Sequence, residues 1–242
     1  MREQLLAYAL RYEGSWPQIA AAIRNAEPWQ PVSYDGRYVT ITDADYPARF
    51  RQLRYPPWVI FYAGNSDLWK QAGIAVIGAR STSAQGRECC RDITSILKEK
   101  YVIISGLAKG IDAIAHKEAM DARTVAVIGC GIDVVYPREN AALYRSIKER
   151  QLIISEYPSH AKPFASHFPW RNRLIAALAD AVVVIEAKER SGTMHTVNEA
   201  LELSRPVYCA ARSYLEKDYL GNALLLSQGA QPLWTREDVK EL

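Results

Sequence analysis

Three apolar runs, IAVIGA (74–79), YVIISG (101–106) and TVAVIG (124–129), stand close together in the middle of the chain. Three more runs of the same kind follow them: QLIIS (151–155), AVVVIEA (181–187) and RPVYCA (205–210). Their nearly continuous apolar character is typical of strands that are buried on both faces of a sheet. Helix-like segments lie between or after these runs, near residues 84–99, 110–121, 140–149, 168–178, 192–203 and 219–228. This alternation predicts right-handed crossovers and a mostly parallel sheet, and hence an α/β fold.

The beginning of the chain follows a different pattern, rich in proline, tyrosine and tryptophan. Its apolar patterns indicate two short helices and two short strands, at residues 2–12, 17–23, 37–41 and 58–62. We therefore predict a short helical and irregular N-terminal segment over residues 1–68 and a sheet-forming domain over residues 69–242. Only a short charged tail follows Leu233, so we expect no further domain after it.

Composition excludes several classes of protein. Of the 242 residues, 49% are hydrophobic and 24% are charged, which excludes a wholly disordered or fibrous chain. Lysine and arginine total 30 against 27 aspartates and glutamates, giving a net charge of +3. This excess is too small to indicate a generally basic nucleic-acid binder, so any anion-binding surface must be local.

The sequence also indicates where the protein resides. No apolar run reaches the ~18 residues of a membrane span, and the N-terminal MREQLLAYALRYEG lacks the apolar core of a signal peptide. The four cysteines form no C-x-x-C pair, and the adjacent Cys89 and Cys90 are poorly placed to bridge. Reduced thiols are the expected state, so we predict a cytoplasmic protein with no membrane partner.

Small residues follow three of the predicted strands. The turns are Gly78-Ala79-Arg80, Ser105-Gly106-Leu107-Ala108-Lys109-Gly110 and Ser191-Gly192-Thr193. The carboxyl ends of parallel strands meet at one edge of a sheet, where ligands bind. Backbone N–H groups at such turns, together with the helix dipole, attract anions. Each turn alone is equally well explained as a tight connection, but three at one edge, two of them with a cation, favour an anionic ligand.

Several common site motifs are missing. The sequence has no G-x-x-x-x-G-K-[ST] loop, no Cys/His spacing typical of zinc and no G-x-S-x-G elbow. Gly129-Cys130-Gly131 begins a dinucleotide motif, but Val134 stands where its third glycine is required. Asp112 and His116 lie one helical turn apart and could form an acid–base pair, but local bonding is the simpler interpretation. We predict no metal, no cofactor and no catalytic residue.

The segment YPSHAKPFASHFPWRNR (157–173) combines cations with aromatic rings and contains no acidic residue. Spaced cations suit the phosphates of a nucleic acid, and aromatic rings suit unpaired bases, which stack on them. We predict contacts with a single strand from Lys162, Phe164, Arg171 and Arg173. Phe168 and Trp170, on either side of Pro169, are interpreted as parts of the core. No basic helix or helix-turn-helix pattern indicates recognition of a duplex.

Six longer segments carry the most specific motifs: IAVIGARSTSAQGRE, VIISGLAKGIDAIAHKEAM, TVAVIGCGIDVVYPREN, LIISEYP, FPWRNRLIAALAD and VVVIEAKERSGTMHT. With YPPWVIFYAGN (55–65) before them and GNALLLSQGA (221–230) after them, the chain resembles the DNA-processing protein A family, also called DprA or Smf. The resemblance implies an extended Rossmann-like fold that binds single-stranded DNA without cutting it. It further implies protection of incoming DNA in natural transformation, loading of the RecA recombinase and a homodimer.

The resemblance also implies which residues contact single-stranded DNA where the motifs match. These are Gly78, Ala79, Arg80, Ser105, Gly106, Lys109, Lys162, Phe164, Arg171, Asn172, Arg173, Ser191, Gly192 and Thr193. The sequence departs from the family pattern at Ala210-Ala211-Arg212, usually V-P-G, and at Met194-His195, usually L-I. The longer N-terminal helical domain and the C-terminal winged helix of many members are not expected here.

Two other functions remain open from the residues alone. A related Rossmann-like group hydrolyses the N-glycosidic bond of nucleoside monophosphates, and Ser191-Gly192-Thr193 with Glu199 distantly resembles its motif. Glu186, at the end of a predicted strand, is another carboxylate that such an enzyme could use. A third hypothesis is a regulatory protein whose pocket senses a small nucleotide.

Overall fold

The computed structural model describes residues 1–189, 191–211 and 220–242, which form one mixed sheet. Its strands are Arg37–Thr40 (β1), Val59–Gly64 (β2), Gly73–Ile77 (β3), Val102–Ser105 (β4), Thr124–Ile128 (β5), Leu152–Ser155 (β6), Ala181–Val184 (β7), Val207–Ala210 (β8) and Gln231–Leu233 (β9). The spatial order is β1-β2-β6-β5-β4-β3-β7-β8-β9. Only the β1–β2 and β2–β6 pairs are antiparallel among these strands. The predicted mostly parallel α/β sheet is confirmed.

The helices lie where the apolar patterns predict them. They are Arg2–Arg11 (α1), Trp16–Arg24 (α2), Ala84–Leu97 (α3), Ile111–Glu118 (α4), Ala141–Arg150 (α5), His167–Leu178 (α6), Gly192–Glu202 (α7), Leu220–Ser227 (α8) and Arg236–Lys240 (α9). The bounds agree with the predicted segments to within a few residues, although residue 219 lies outside the described part. Strand β9 and helix α9 were not predicted, because three and five residues are too few to show a period.

The strand order reverses at β3, and this reversal positions the site. The chain runs from β3 through β4 and β5 to β6 on one side, then returns to place β7, β8 and β9 on the other. Beyond the carboxyl ends of the strands at such a reversal, the connecting segments diverge and leave a crevice. The turns after β3, β4 and β7 therefore face a common space.

The sheet extends across the boundary that the sequence predicts at residue 68. Strand β2 pairs antiparallel with β6, with Phe61 opposite Ser155, and β1 continues the sheet beyond it. Val59 and Phe61 of β2 are buried in the same cluster as Leu5 and Tyr8 of α1 and Ile147 of α5. The N-terminal helices thus pack on this part of the sheet, and the first strands belong to it.

Helix α6 connects β6 with β7 and crosses over the strands between them. Its residues Leu174 to Leu178 are fully buried, in the same hydrophobic cluster as Val127 of β5, Ala75 of β3 and Val182 of β7. The crossover brings the first turn of α6 to the carboxyl edge of the sheet, beside the turns after β3 and β4. No helix in residues 1–189, 191–211 or 220–242 has the length and apolar character needed to cross a bilayer.

Candidate functional site

A cavity of about 630 Å³ opens at the carboxyl edge of the sheet, and we call it the main cleft. Its walls come from the turns after β3, β4 and β7, from the first half of α6 and from the segment after β5, and they include Arg80, Ala108, Gly192, Phe168, Asn172 and Tyr136. A smaller cavity of about 260 Å³, the inner pocket, shares Arg80, Tyr136 and Phe168 with it and adds Gly106 and Lys109. The structure thus brings together three turns that are far apart in sequence.

The turn after β3 is held tightly and presents Arg80 to the cleft. A Cβ added at Gly78 would lie 2.7 Å from Ile111 Cγ1 and 2.9 Å from the carbonyl oxygen of Glu186, so only glycine fits. Ala79 N–H donates to that same oxygen at 2.7 Å, and the Ala79 carbonyl accepts from Ile111 N–H at 3.2 Å. The exposed Arg80 guanidinium lies over Phe168, with 5.6 Å from Cζ to the ring centroid. The ring orients a solvent-accessible cation.

Two backbone donors of the turn after β4 are used within the protein. Gly106 N–H and Ala108 N–H donate to the Asp112 carboxylate at 3.2 and 3.4 Å. Burial raises the pKa of Asp112, and the Arg171 charge and these donors oppose that rise. The sequence predicts that these N–H groups bind an external anion. That prediction is wrong for these two groups, because they already donate to the Asp112 carboxylate.

Ser105 does not reach either cavity, contrary to the residue set that the family resemblance implies. Its side chain is fully buried, and Oγ donates to the Val76 carbonyl at 2.7 Å, within the sheet. Successive side chains of a strand point to opposite faces of the sheet, and the side chain of Ser105 points to a face that is buried. Ser105 therefore joins β4 to β3.

Lys109 stands at the rim of the inner pocket with its ammonium group paired to the Glu139 carboxylate. Both side chains are more than half exposed. Exposed ion pairs of this kind contribute little free energy, so a phosphate can displace Glu139 from Lys109. The pair holds down the pKa of Glu139 through the hydrogen bond from Lys109.

Arg171 forms the floor of both cavities and is only 4% exposed. Its guanidinium donates to the carbonyl oxygens of Gly106, at 2.7 Å, and Val127. Burial lowers the pKa of Arg171 to about 10, and Asp112 opposes that shift. Arg171 Nε has no hydrogen-bond partner among the described residues. Arg171 therefore supports the turn after β4 from below and brings positive charge beneath the pocket.

Arg173 faces away from the cleft, which corrects its assignment as a contact with DNA. The side chain is 3% exposed and pairs with the buried Glu156 at 2.8 Å, while its Cζ lies 4.2 Å from the Trp170 ring centroid. Trp170 Nε1 donates to the same carboxylate at 3.0 Å. Arg173 and Trp170 thus fasten α6 to the end of β6.

The loop before α6 forms the open rim of the main cleft. Pro163 and Ala165 line the cavity, and Lys162 and Phe164 alternate with them in sequence. Phe164 is 51% exposed and meets the His167 ring edge-on, with centroids 5.2 Å apart. Lys162 is exposed and has no ion-pair partner in the described part of the chain. Both side chains are exposed, and neither lines the main cleft or the inner pocket.

The start of α7 closes the other end of the main cleft with Ser191, Gly192 and Thr193. Asn172 Nδ2 donates to the Gly192 carbonyl at 3.2 Å and so joins α6 to this turn. Ser191 is the N-cap residue but makes no side-chain cap hydrogen bond, and its Oγ is buried without a partner among the residues described. The start of α7 thus lines the cleft without a side-chain cap.

The two segments that depart from the family pattern differ in position. His195 is exposed at the rim of the main cleft, one turn into α7. Ala210 ends β8, and Ala211 N–H donates to the Leu233 carbonyl at 3.0 Å. Arg212 lies outside the described residues.

Two ring-bearing residues of the cleft were missed or misassigned from sequence. Phe168 was interpreted as a core residue, but it lines both cavities beneath Arg80. Tyr136, 42% exposed, lies beside it with ring centroids 5.3 Å apart. The helical spacing gave a usable signal for Phe168, because Phe168, Arg171, Asn172 and Ile175 follow i, i+3, i+4, i+7 and all line the cleft.

The carboxylates that an N-glycosidase would need are not free in the cleft. Glu186 is fully buried and accepts hydrogen bonds from Thr82 Oγ1 at 2.9 Å, Ser83 Oγ at 2.8 Å and Ser83 N–H. It therefore occupies the start of α3, where a negative charge is stabilised. Glu199 lines neither cavity, and burial raises its pKa.

The remaining polar groups near the site are structural. His116 is fully buried and its Nδ1 lies 2.7 Å from Thr124 Oγ1, so the local interpretation of Asp112 and His116 is confirmed. Burial lowers the pKa of His116 to about 3. The part of the chain that the structure describes contains no group of three or more His, Cys, Asp or Glu side chains placed to bind a metal ion.

Known proteins resemble this chain over most of its length. The sequence model of the family described as DNA recombination-mediator protein A matches residues 37–242. The DNA processing protein DprA of Streptococcus pneumoniae is 40% identical over 202 residues, which are 83% of this chain and 72% of that protein. DprA of Bacillus subtilis is 34% identical over an alignment of 249 positions, which spans 99% of this chain and 81% of that protein.

Two solved structures are similar over almost the whole fold. DprA from Streptococcus pneumoniae has a TM-score of 0.83 at 34% identity and covers 98% of this chain and 92% of its own. DNA processing protein A from Helicobacter pylori, described by its single-stranded DNA binding mode, has a TM-score of 0.78 at 28% identity, covering 86% and 95%. With the family match, these similarities show that the chain belongs to the DNA recombination-mediator protein A family.

Proposed function

We propose that this chain binds single-stranded DNA in the main cleft and inner pocket and acts as a recombination mediator. The observation that carries the proposal is the exposed Arg80 guanidinium on the Phe168 ring, at the meeting point of both cavities. A cation held beside a ring suits a phosphate and its neighbouring unpaired base. The similarity to the Helicobacter pylori protein, which is described as binding single-stranded DNA, supports the same ligand.

The cleft residues divide into three roles under this proposal. Arg80, Lys109 and Lys162 supply exposed positive charge for phosphates. Phe164 and Tyr136 supply accessible ring faces for bases, with Phe168 beneath Arg80. The remaining assigned residues shape the site from below or behind: Gly78, Ala79, Gly106, Arg171, Asn172, Ser191, Gly192 and Thr193.

Side chains, more than backbone amides, meet the phosphates. The turn before α4 is filled by the Asp112 carboxylate, and the start of α3 is filled by Glu186. The start of α7 has no such internal anion among the described residues, and it is the helix terminus that remains for a phosphate. If phosphates of a single strand neutralise three of these cations, a plot of log K against the logarithm of the salt concentration should have a slope of about −2.

The family membership supports a wider role for the same site. We propose that strand binding proceeds without bond cleavage, since the candidate carboxylates Glu186 and Glu199 do not face the cleft. We further propose that the protein protects incoming strands in natural transformation, helps to load the RecA recombinase and acts as a homodimer.

Fluorescence anisotropy with a labelled oligothymidylate, and with a duplex of the same length, tests the proposal. Arg80→Gln should weaken single-strand binding about fivefold at about 0.1 M salt and reduce the salt slope by about 0.7. The matched control is Arg145→Gln, an exposed arginine of α5 that lines none of the cavities described, and it should behave as wild type. Tighter binding of the duplex, or equal effects of the two substitutions, would contradict the proposal. Release of free base from nucleoside monophosphates would favour the N-glycosidase instead.

A further inference from the structure

A third cavity of about 540 Å³ lies beside the inner pocket, between residues 134–139 and Pro163, and we call it the side groove. No residue assigned to DNA binding above lines it except Lys109 and Tyr136. We propose that the side groove binds an unpaired nucleotide of the same DNA strand, beyond those held in the main cleft. This inference rests on the proposed function and extends the path of the strand.

The first argument is continuity. The side groove shares Lys109, Tyr136 and Pro137 with the inner pocket, and it shares Tyr136 and Pro163 with the main cleft. Tyr136 therefore stands where all three cavities meet, and its ring is 42% exposed. A strand that leaves the inner pocket past this ring enters the side groove without crossing another wall.

The second argument is the chemistry of the lining. Val134, Val135 and Pro163 give the groove apolar walls, and Tyr136 gives it an aromatic face, which together suit a base. Arg138 supplies the cation, since it is exposed and has no ion-pair partner among the described residues. Arg80, Lys109 and Arg138 thus succeed one another along the three cavities, so positive charge accompanies the whole path.

The third argument is the position of Glu139. Its carboxylate binds Lys109 at the junction of the inner pocket and the side groove. A phosphate that passes this point must replace Glu139 on Lys109, and the exposed pair is weak enough to yield. Glu139 therefore competes with the strand for the same cation and limits the affinity of the extended path.

Anisotropy with oligothymidylates from about 4 to about 20 nucleotides long tests the groove separately from the cleft. Arg138→Gln should weaken the long oligonucleotides about fivefold at about 0.1 M salt, because one neutralised phosphate is lost, and should leave the shortest ones unaffected. Arg80→Gln should weaken every length. The matched control is Arg150→Gln, an exposed arginine at the opposite end of α5, which should change nothing.

Each result separates the groove from the cleft. If the Arg138→Gln protein binds oligonucleotides of every length as tightly as the wild type, the proposal for the side groove is wrong, and the proposal for the main cleft is unaffected. If the Arg138→Gln substitution reduces the affinity for the shortest and the longest oligonucleotides equally, the proposal for the side groove is also wrong. Such a result would reflect a long-range effect of the lost charge, which does not require a nucleotide in the groove. Failure of the wild-type protein to bind any single strand would overturn the proposed function itself.

Discussion

Replacing Gly106 by alanine would place a methyl group against the buried guanidinium of Arg171. The added Cβ would lie 2.5 Å from Arg171 Nη2 and 2.6 Å from Cζ. Arg171 cannot move aside without losing its hydrogen bonds to the carbonyl oxygens of Gly106 and Val127. Gly106 does not adopt a left-handed backbone conformation, so the whole cost of the substitution is steric.

Overpacking of a closely packed interior costs about 1–3 kcal/mol. For a domain of this size, that loss corresponds to a fall in Tm of roughly 2–12 °C. Gly192→Ala is the matched control, because no atom lies within 4 Å of its added Cβ. Alanine at the start of α7 should leave the stability unchanged or raise it by up to about 1 kcal/mol.

Thermal unfolding followed by circular dichroism compares the two variants, and anisotropy measures their affinity for an oligothymidylate. Gly106→Ala should melt below wild type and bind the strand more weakly, since the floor of the inner pocket is displaced. If the Gly106→Ala protein has the same Tm as the Gly192→Ala protein and binds DNA as tightly as the wild type, the role given to Arg171 is refuted.

Three other substitutions test separate parts of the site. Phe164→Ala should reduce single-strand affinity about 5- to 150-fold, because one base loses its stacking partner, and should leave the salt slope unchanged in anisotropy titrations. Glu139→Gln should raise affinity and steepen the slope by up to about 0.7, since Lys109 loses its competing anion; unchanged titrations would contradict that role. Arg173→Met should cost about 3–5 kcal/mol in urea unfolding, because Glu156 is left buried without its partner. If the Arg173→Met protein is as stable as the wild type and its DNA affinity depends less steeply on salt, Arg173 contacts DNA as the sequence predicts.

The sequence predicts the sheet well because parallel strands leave a strong signal. The runs from IAVIGA to RPVYCA are apolar on both faces; strands β4 to β8 lie within them, and β3 begins one residue earlier, at Gly73. The sequence also locates the first two strands, near 37–41 and 58–62, but not their place in the sheet. Strand β2 joins the sheet only by pairing antiparallel with β6, and a local pattern carries no information about such a partner.

The candidate site is predicted less completely, because sequence does not distinguish a buried cation from an exposed one. Helix α6 is buried on nearly all sides and so lacks an amphipathic pattern. Arg171 and Arg173 are two positions apart, about 200° around the helix, so they must face in different directions. One reaches the pocket floor, and the other reaches Glu156.

Internal anions are a second limit on prediction from sequence. Turns rich in glycine and serine before a helix indicate an anion site equally well when the anion is a side chain of the same protein. Asp112 and Glu186 fill two of the three turns in this way. Glu186 lies 103 residues from its donor Ser83, so no local pattern marks that pairing. Asp112 lies only six and four residues from Gly106 and Ala108, but a carboxylate in the first turn of a helix is equally explained by the helix dipole.

Photocrosslinking of iodouracil-substituted single-stranded DNA to the wild-type protein, with the crosslinked peptides identified by mass spectrometry, tests the location of the strand most directly. We predict crosslinks at Phe164, Tyr136 and Phe168, the rings that surround the main cleft. Crosslinks confined to the ring pair formed by Trp16, at the start of α2, and Trp58, whose centroids lie 5.5 Å apart, would contradict the assignment of the cleft.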